Sequence, residues 1–247
     1  MDAILERKER AADDFLRRLL TSRAREYIAK VILHGSVAQG TAQPDSDVDL
    51  LIFGTGEPEL VQDAVIDVGL EVAAATGESI DPLIYPYGEY QQPSTYFIFN
   101  ALRKGRELYS MDAAELKRAA MESAYALGQE YLAGARQNEA EGRHRIAVDA
   151  AYNAAELAVK GLLLLRIDEL PSSHSGIVNR FGEIYIKSGR LSIELSDRLR
   201  RSLMLRNRAR YEWGALIGTA EASLVLQTAE ELLHILRDAL TKSEEES

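Results

Sequence analysis

The amino-acid sequence changes character near residue 110, and this change constrains the fold more than any other feature. Five of the six prolines lie before that point, and Pro171 alone follows it. Before residue 110, short apolar runs alternate with glycine, aspartate and proline, a pattern typical of strands joined by turns. From Met111 onward, apolar residues recur every three to four positions, which predicts helices. We therefore predict two domains, residues 1–110 and residues 111–247.

The first half is predicted to be an α+β domain built on a small mixed β-sheet, and the second an all-α up-and-down helical bundle. An amphipathic helix opens the first half. The predicted strands cover 29–35, 47–53, 79–85 and 106–109, and the later helices of this half cover 58–76 and 96–102. Five periodic segments separated by glycine or proline form the bundle, at 113–138, 143–166, 174–187, 191–210 and 219–241.

The composition excludes several classes of protein. The net charge of -10 argues against a broad surface for polyanions, so any nucleotide chemistry must be local. The absence of cysteine excludes a disulfide framework, a thiolate zinc site and a cysteine nucleophile. No apolar run reaches the roughly 20 residues that a membrane span requires. We expect a cytoplasmic protein with no membrane partner.

A glycine-containing turn and a pair of carboxylates form the first candidate site. Gly35 and Ser36 end the first strand and open a turn to Gly40, where a phosphate can approach bare backbone N–H groups. Asp47 and Asp49 follow, and positions i and i+2 of a strand point to the same face. Two such carboxylates repel each other without a cation between them. Mg²⁺ that also takes oxygens from a nucleoside triphosphate fits this arrangement.

Two further residues extend this site. Asp81, on a neighbouring strand, is predicted to bridge a second metal or to accept the proton of an attacking hydroxyl. Ser46 is mainly a turn residue and a minor candidate for phosphate contact. The implied chemistry is in-line phosphoryl or nucleotidyl transfer. The alternative is an ordinary turn followed by a solvated loop, but carboxylates that open an apolar strand are costly without a ligand, which favours the site.

These residues resemble the signature of the DNA polymerase β-type nucleotidyltransferase superfamily, especially its minimal nucleotidyltransferases, over about residues 25–110. The resemblance implies Mg²⁺-dependent transfer of a nucleoside monophosphate from a triphosphate, with ATP expected, to a hydroxyl acceptor. It places Asp47 and Asp49 on the metal and Asp81 near the acceptor. Gln39 stands where minimal members often have arginine, which implies weaker contacts to the triphosphate.

An arginine-rich segment is the second constellation. Between Arg198 and Arg210 there are six arginines and no carboxylate, in a protein that is acidic overall. Two interpretations stay open. The arginines form a cleft for RNA, a nucleotide or an acidic surface, or they lie on a solvated helix face and pair with nearby glutamates.

The helical half resembles HEPN domains over about residues 113–241. The stretches that carry the resemblance are 150–156, 173–177 with Phe181, and 206–211 with its candidates Arg206, Asn207 and Tyr211. HEPN ribonucleases carry Arg-x4-His, and counting from Arg206 the histidine position holds Tyr211. The catalytic imidazole is therefore expected to be absent, and with it ribonuclease activity. His174 is expected to cap or orient the third helix of the bundle. The resemblance also implies a homodimer.

The favoured hypothesis is an enzyme that transfers a nucleoside monophosphate to a small molecule, a protein tyrosine or an RNA end. The alternative is a fused toxin–antitoxin-like module that binds nucleotide or RNA without efficient transfer. An RNA or protein partner is left open under both hypotheses. Release of pyrophosphate separates them, because a pure binder releases none.

Overall fold

The computed structural model describes residues 3–245, and contacts between residues divide the chain into two units, 1–119 and 120–247. The division falls inside the helix Ala113–Ala140. The predicted boundary at residue 110 precedes that helix and stays a prediction. Within the described residues, we find no helix with the length and apolar character needed to span a bilayer.

The first unit is an α+β domain with a four-stranded mixed sheet in the order β3-β2-β1-β4. Strands β2 and β3 are parallel, and β1 is antiparallel to both of its neighbours. The elements are α1 (Ala3–Leu19), β1 (Ile28–Leu33), α2 (Gly35–Ala38), β2 (Val48–Gly54), α3 (Pro58–Thr76), β3 (Ile80–Pro86), α4 (Tyr87–Gln91), α5 (Tyr96–Lys104) and β4 (Arg106–Ser110). The predicted fold class is confirmed.

The sheet of this unit is covered on both faces. All six residues of β1 are buried, which agrees with a sequence that is apolar except for Lys30. On one face α1 and α3 contribute apolar residues such as Phe15 and Val65 to the core. A smaller cluster on the other face joins Phe53 of β2 to Ile98 of α5. The strand predicted from Asp47 begins one residue later, since the ladder with β3 starts at the hydrogen bond from the Val48 amide to the Ser79 carbonyl.

The second unit is a helical bundle in which α7 is the central element. Its helices are α6 (Ala113–Ala140), α7 (His144–Leu164), α8 (His174–Phe181), α9 (Ile193–Tyr211) and α10 (Thr219–Glu245). Helix α7 packs against α8, α9 and α10. A β-carbon at Gly161 would lie 2.8 Å from the side chain of Leu236, so a small residue allows α10 to approach closely. The predicted third helix, 174–187, is instead α8 followed by a π-helical turn at Gly182–Ile186.

Candidate active site

The turn after β1 lies directly against one of the predicted metal ligands. The His34 amide donates to the Asp49 carbonyl at 3.0 Å, which joins the end of β1 to β2. Gly35 follows with φ of 69°, a left-handed conformation that favours glycine. A β-carbon at Gly35 would overlap the Asp49 carboxylate, with 2.8 Å to its Cγ atom. Only glycine leaves room for the turn and the carboxylate together.

The three predicted carboxylates converge at the start of β2 and β3. Asp49 and Asp81 are register partners on these parallel strands. Asp47 is exposed and lies just before β2, so it does not share a strand with Asp49 as predicted. Burial raises the pKa of Asp49, the His34 imidazole opposes this rise, and the charges of Asp81 and Asp47 raise the pKa further. Negative charge is therefore concentrated around Asp49.

His34 lies at the end of β1 and acts electrostatically on Asp49. Its imidazole is buried, and Nε2 has no hydrogen-bond partner among the described residues. Burial lowers the pKa of His34, whereas the Asp49 and Asp81 carboxylates act in the opposite direction. The ring meets that of Phe97 edge-on, with 5.7 Å between centroids.

Magnesium fits the site as an ion shared with substrate. Among the described residues, no group of three or more histidine, cysteine, aspartate or glutamate side chains is arranged to hold a metal alone. Mg²⁺ is commonly held by one or two carboxylates together with substrate phosphates. Asp49, with Asp47 and Asp81 close to it and the Gly35 turn against it, can supply such a donor set.

The other residues predicted to bind nucleotide lie in the loop between β1 and β2. Ser36 is half-buried in α2, and its carbonyl accepts from the Thr41 amide at 2.9 Å. Gly40 is exposed with φ of 70°. The Ser46 hydroxyl accepts from the Gln43 amide at 2.9 Å, so it already has a role within the loop. Contacts of these residues with phosphate stay a prediction.

A cavity that the sequence did not predict opens beside the Gly35 turn. Its volume is about 440 Å³. Helix α5 supplies one wall, and the lining residues are His34, Gly35, Gln39, Tyr96, Phe97, Asn100, Ala101 and Lys104. The available sequence signal is the group of three aromatic residues at the start of α5, of which Tyr96 is 79% exposed. Rings, an amide and an ammonium group beside the turn are chemically suited to a nucleotide.

Arg206 is the centre of the second predicted constellation. Its side chain is buried, and its Nε lies 3.4 Å from the Asp149 carboxylate. Its Nη1 donates to the Asn207 side chain at 3.1 Å. The guanidinium also lies over the rings of Tyr152 and Tyr211, at 5.9 and 5.8 Å from their centroids. The predicted HEPN candidates Arg206, Asn207 and Tyr211 are thus brought together.

Position 211 holds tyrosine, but an imidazole from another helix lies beside Arg206. His174 of α8 places Nε2 3.3 Å from Nη2 of Arg206, and its Nδ1 contacts the Glu156 carboxylate. Both ring nitrogens are therefore engaged. The helix cap is Ser173, whose hydroxyl accepts from the Gly176 amide at 3.1 Å. His174 orients α8 against α7 and α9 rather than capping it.

Glu156 is neutralised within the second unit. Its carboxylate lies 2.8 Å from the Lys160 ammonium and also contacts His174. Burial would raise the pKa of Glu156, but the hydrogen bonds from Lys160 and His174 outweigh it and hold the pKa below its usual value. Burial and the nearby Glu156 raise the pKa of Tyr152.

Most of the arginine-rich segment forms ion pairs. Arg198 pairs with Glu231, and Arg208 lies 3.5 Å from Glu212. Arg206 and Arg210 share the Asp149 carboxylate, which lies 3.3 Å from Arg210. These contacts favour the second interpretation of the segment, a helix face paired with acidic neighbours.

Comparison with known families assigns both halves. A model for "Polymerase beta, Nucleotidyltransferase" matches residues 19–114, and the "HEPN domain" model matches residues 103–239. The chain belongs to the HEPN domain family and carries a polymerase β-type nucleotidyltransferase domain before it. It is a nucleotidyltransferase, which confirms the predicted resemblance and enzyme class.

Two individual proteins are similar to parts or all of the chain. The "Putative protein adenylyltransferase MJ0604" of Methanocaldococcus jannaschii is 32% identical over 103 residues, which cover 41% of this chain and 98% of that protein. The structure of spectinomycin adenyltransferase AAD(9) from Enterococcus faecialis with ATP and spectinomycin is 15% identical. It covers 93% of this chain and 98% of its own, with a TM-score of 0.30, which is too low to carry an argument.

Proposed function

We propose that the chain is a Mg²⁺-dependent nucleotidyltransferase that transfers AMP from ATP to a hydroxyl acceptor. The observation that carries the proposal is the contact between the Gly35 turn and Asp49, whose register partner is Asp81. A phosphate-accessible turn and two adjacent carboxylates are the minimum that this reaction needs. The name of the similar adenylyltransferase supports ATP as the nucleotide.

Each residue of the site has a proposed role. Asp47 and Asp49 would hold Mg²⁺, which when bound neutralises negative charge on the phosphates. Backbone groups of Gly35, Ser36 and Gly40 would orient the triphosphate. The hydroxyl oxygen of the acceptor would bond to the α-phosphorus, and Asp81 would accept the proton of that hydroxyl. The bond from the same phosphorus to the pyrophosphate leaving group would break. The alternative role for Asp81 is to hold a second metal ion.

The cavity beside α5 supports a place for the nucleoside. Tyr96 and Phe97 offer ring faces and edges to a base, and Asn100 offers an amide that can donate and accept. Lys104 adds a positive charge suited to phosphate. Gln39 also lines this cavity, and as a neutral side chain it would contribute less to triphosphate binding than arginine would.

The acceptor is proposed to be a protein hydroxyl, which follows the name of the similar adenylyltransferase. A small molecule and an RNA end are the competing acceptors. A cytoplasmic location is part of the proposal.

The helical half is proposed to form a homodimer, supported by exposed apolar side chains such as Ile193 and Met204. A monomeric mass at micromolar concentration would contradict the dimer.

Transfer of label from ATP tests the proposed function. The protein is incubated with α-labelled ATP and Mg²⁺, or with EDTA, and with cell protein, total RNA or metabolite fractions. We expect label on protein, stoichiometric pyrophosphate, and loss of both with EDTA or in Asp49→Asn. Asp63→Asn, which alters an exposed aspartate of α3, is the matched control. Label on RNA or a metabolite would change the acceptor, and no label anywhere would contradict the function.

The second candidate function is a regulatory module that binds nucleotide or RNA. The presence of neutral Gln39 where contacts to the triphosphate are expected favours this module. In the same experiment this module would bind ATP without releasing pyrophosphate.

A further inference from the structure

A buried lysine on α1 reaches the two segments that lead into the candidate site. Lys8 is 1% exposed, and its ammonium contacts three oxygen atoms. These are Oε2 of Glu78 at 2.7 Å, the Pro44 carbonyl at 3.3 Å and the Ser46 carbonyl. An ammonium group has three N–H donors, so all three are used.

The three oxygen atoms that Lys8 contacts lie on two segments of the chain, each of which leads to one of the predicted carboxylates. Pro44 and Ser46 belong to the loop before β2, and Asp47 is the last residue of that loop. Glu78 lies just before β3, on which Asp81 is the second residue. The Val48 amide donates to the Ser79 carbonyl at 2.9 Å, where the two segments first meet. The Lys8 ammonium therefore holds the loop that contains Asp47 and the segment before β3 at a fixed separation.

Stability alone is a poor reason for this arrangement. Burying an ammonium and a carboxylate costs several kcal/mol per ion, and an apolar pair of similar volume is often as stable or more stable. An apolar side chain at position 8 would fill the space but could not bind the Pro44 and Ser46 carbonyls. What lysine adds is a defined position for the loop. Glu78 is 4% exposed and also contacts Arg7, so its own position is fixed as well.

We propose that Lys8 is a positioning residue for nucleotidyl transfer, which tethers the loop before Asp47 to the start of β3 and so sets the spacing of the catalytic carboxylates. The proposal rests on the proposed function. Lys8 contacts none of the three carboxylates and acts through Pro44, Ser46 and Glu78. A displacement of about 1 Å at reacting groups can reduce turnover about 100-fold.

The test compares Lys8→Met with Lys30→Met. Lys30 is a matched control, because it is another largely buried lysine of this unit whose ammonium contacts Glu107 and Ser110 of β4. We expect Lys8→Met to lower kcat for AMP transfer about 10- to 100-fold, with KM for ATP within about threefold of wild type. Amide hydrogen exchange should accelerate at residues 43–49 and 79–81. Lys30→Met should show neither change.

A double variant separates positioning from lost stability. Lys8→Met removes a cation that contacts the buried Glu78 carboxylate, and Lys8→Met/Glu78→Gln removes the charge of that carboxylate as well. We expect the double variant to recover thermal stability but not kcat, and it replaces Lys8→Met if the single variant does not fold. Wild-type kcat in the double variant would overturn the proposal, as would an equal loss of kcat in Lys30→Met.

The exchange measurement keeps the two proposals distinguishable. If wild-type protein releases no pyrophosphate from ATP with Mg²⁺, the proposed function fails. Amide hydrogen exchange at residues 43–49 and 79–81 then still shows whether Lys8 tethers the two segments. Exchange rates unchanged by Lys8→Met would overturn the tether even in an active enzyme.

Discussion

The two charged clusters of the chain differ in how their charges are neutralised. In the first unit, Asp47, Asp49 and Asp81 lie near one another, and within residues 3–242 none of them forms an ion pair with lysine or arginine. His34 is the positively ionisable side chain that acts on Asp49, and burial disfavours its charge. This cluster is therefore stable at neutral pH only at an electrostatic cost, unless a cation binds.

In the second cluster, each carboxylate is paired with oppositely charged side chains of the same unit. Asp149 faces Arg206 and Arg210, and Glu156 faces Lys160 and His174. Nothing in this arrangement requires an external ion. The difference teaches that charged residues close in space indicate chemistry when they are unbalanced and indicate structure when they neutralise one another.

Asp49→Asn tests the unbalanced cluster most strongly. We expect AMP transfer to fall by about 1,000-fold or more, because the variant removes the proposed metal ligand at the centre of the site. The melting temperature should stay the same or rise, because the folded state loses repulsion with Asp81 and Asp47. Label transfer and thermal unfolding measure the two effects, with Asp47→Asn as a parallel variant. Near wild-type transfer in either would refute the metal assignment.

Asp81→Asn should separate chemistry from binding. If Asp81 accepts the acceptor proton, kcat falls about 100-fold while the affinity for Mg²⁺ and ATP changes by about threefold or less. Single-turnover kinetics and equilibrium binding of a non-hydrolysable ATP analogue measure these quantities. Equal losses in both would instead support a metal-binding role for Asp81.

Glu156→Gln should affect stability rather than transfer. We expect a loss of about 1–3 kcal/mol at pH 7, since the hydrogen bonds to a charged acceptor are weakened. The folded pKa of Glu156 is below its usual 4.5, so its contribution is complete above that value and is lost as the pH falls through the folded pKa. Denaturant unfolding of both proteins should therefore converge in acid. A stability difference that grows in acid would contradict the pairing.

RNA incubated with the protein should remain intact, the smallest effect expected. His174 has both ring nitrogens engaged, and the Tyr211 phenol is a poor substitute for an imidazole in proton transfer at neutral pH. Gel analysis of wild type, Arg206→Ala and Tyr211→Phe provides the measurement. If the wild type cleaves RNA and either variant abolishes the cleavage, the cluster around Arg206 is catalytic. Transfer weakened by Arg206→Ala would connect the cluster with the first site.

Local signals in the sequence were sufficient for most elements. Helix α3 begins at Pro58 and is followed by Gly77, and these two residue types are preferred at the start and just after the end of a helix. Helix α4 was not predicted, since its five residues follow a proline and contain Gly88, which disfavours a helix. The early start assigned to β2 at Asp47 has a different cause, because pairing with β3 determines where the ladder begins.

Contacts between distant residues were beyond the sequence. His174 and Arg206 are 32 positions apart and lie on different helices, so neither helical spacing nor the Arg-x4-His pattern could relate them. Lys8 and Glu78 are 70 positions apart, and Lys8 resembled any other charged residue of an amphipathic helix. Asp47 and Asp49 were found because they are two positions apart, and Asp81 was found because it lies on a neighbouring predicted strand. Their positioning depends on packing.

The left-handed turn at Gly35 also limits how this enzyme can change by mutation. Any of the other amino acids would place a β-carbon where the Asp49 carboxylate lies, so every missense change at this codon disturbs both the turn and the carboxylate. A reversion that restores function must restore glycine or remodel β2. We therefore expect Gly35→Ala to be an inactive allele that retains Asp47, Asp49 and Asp81, and with them the full negative charge of the site.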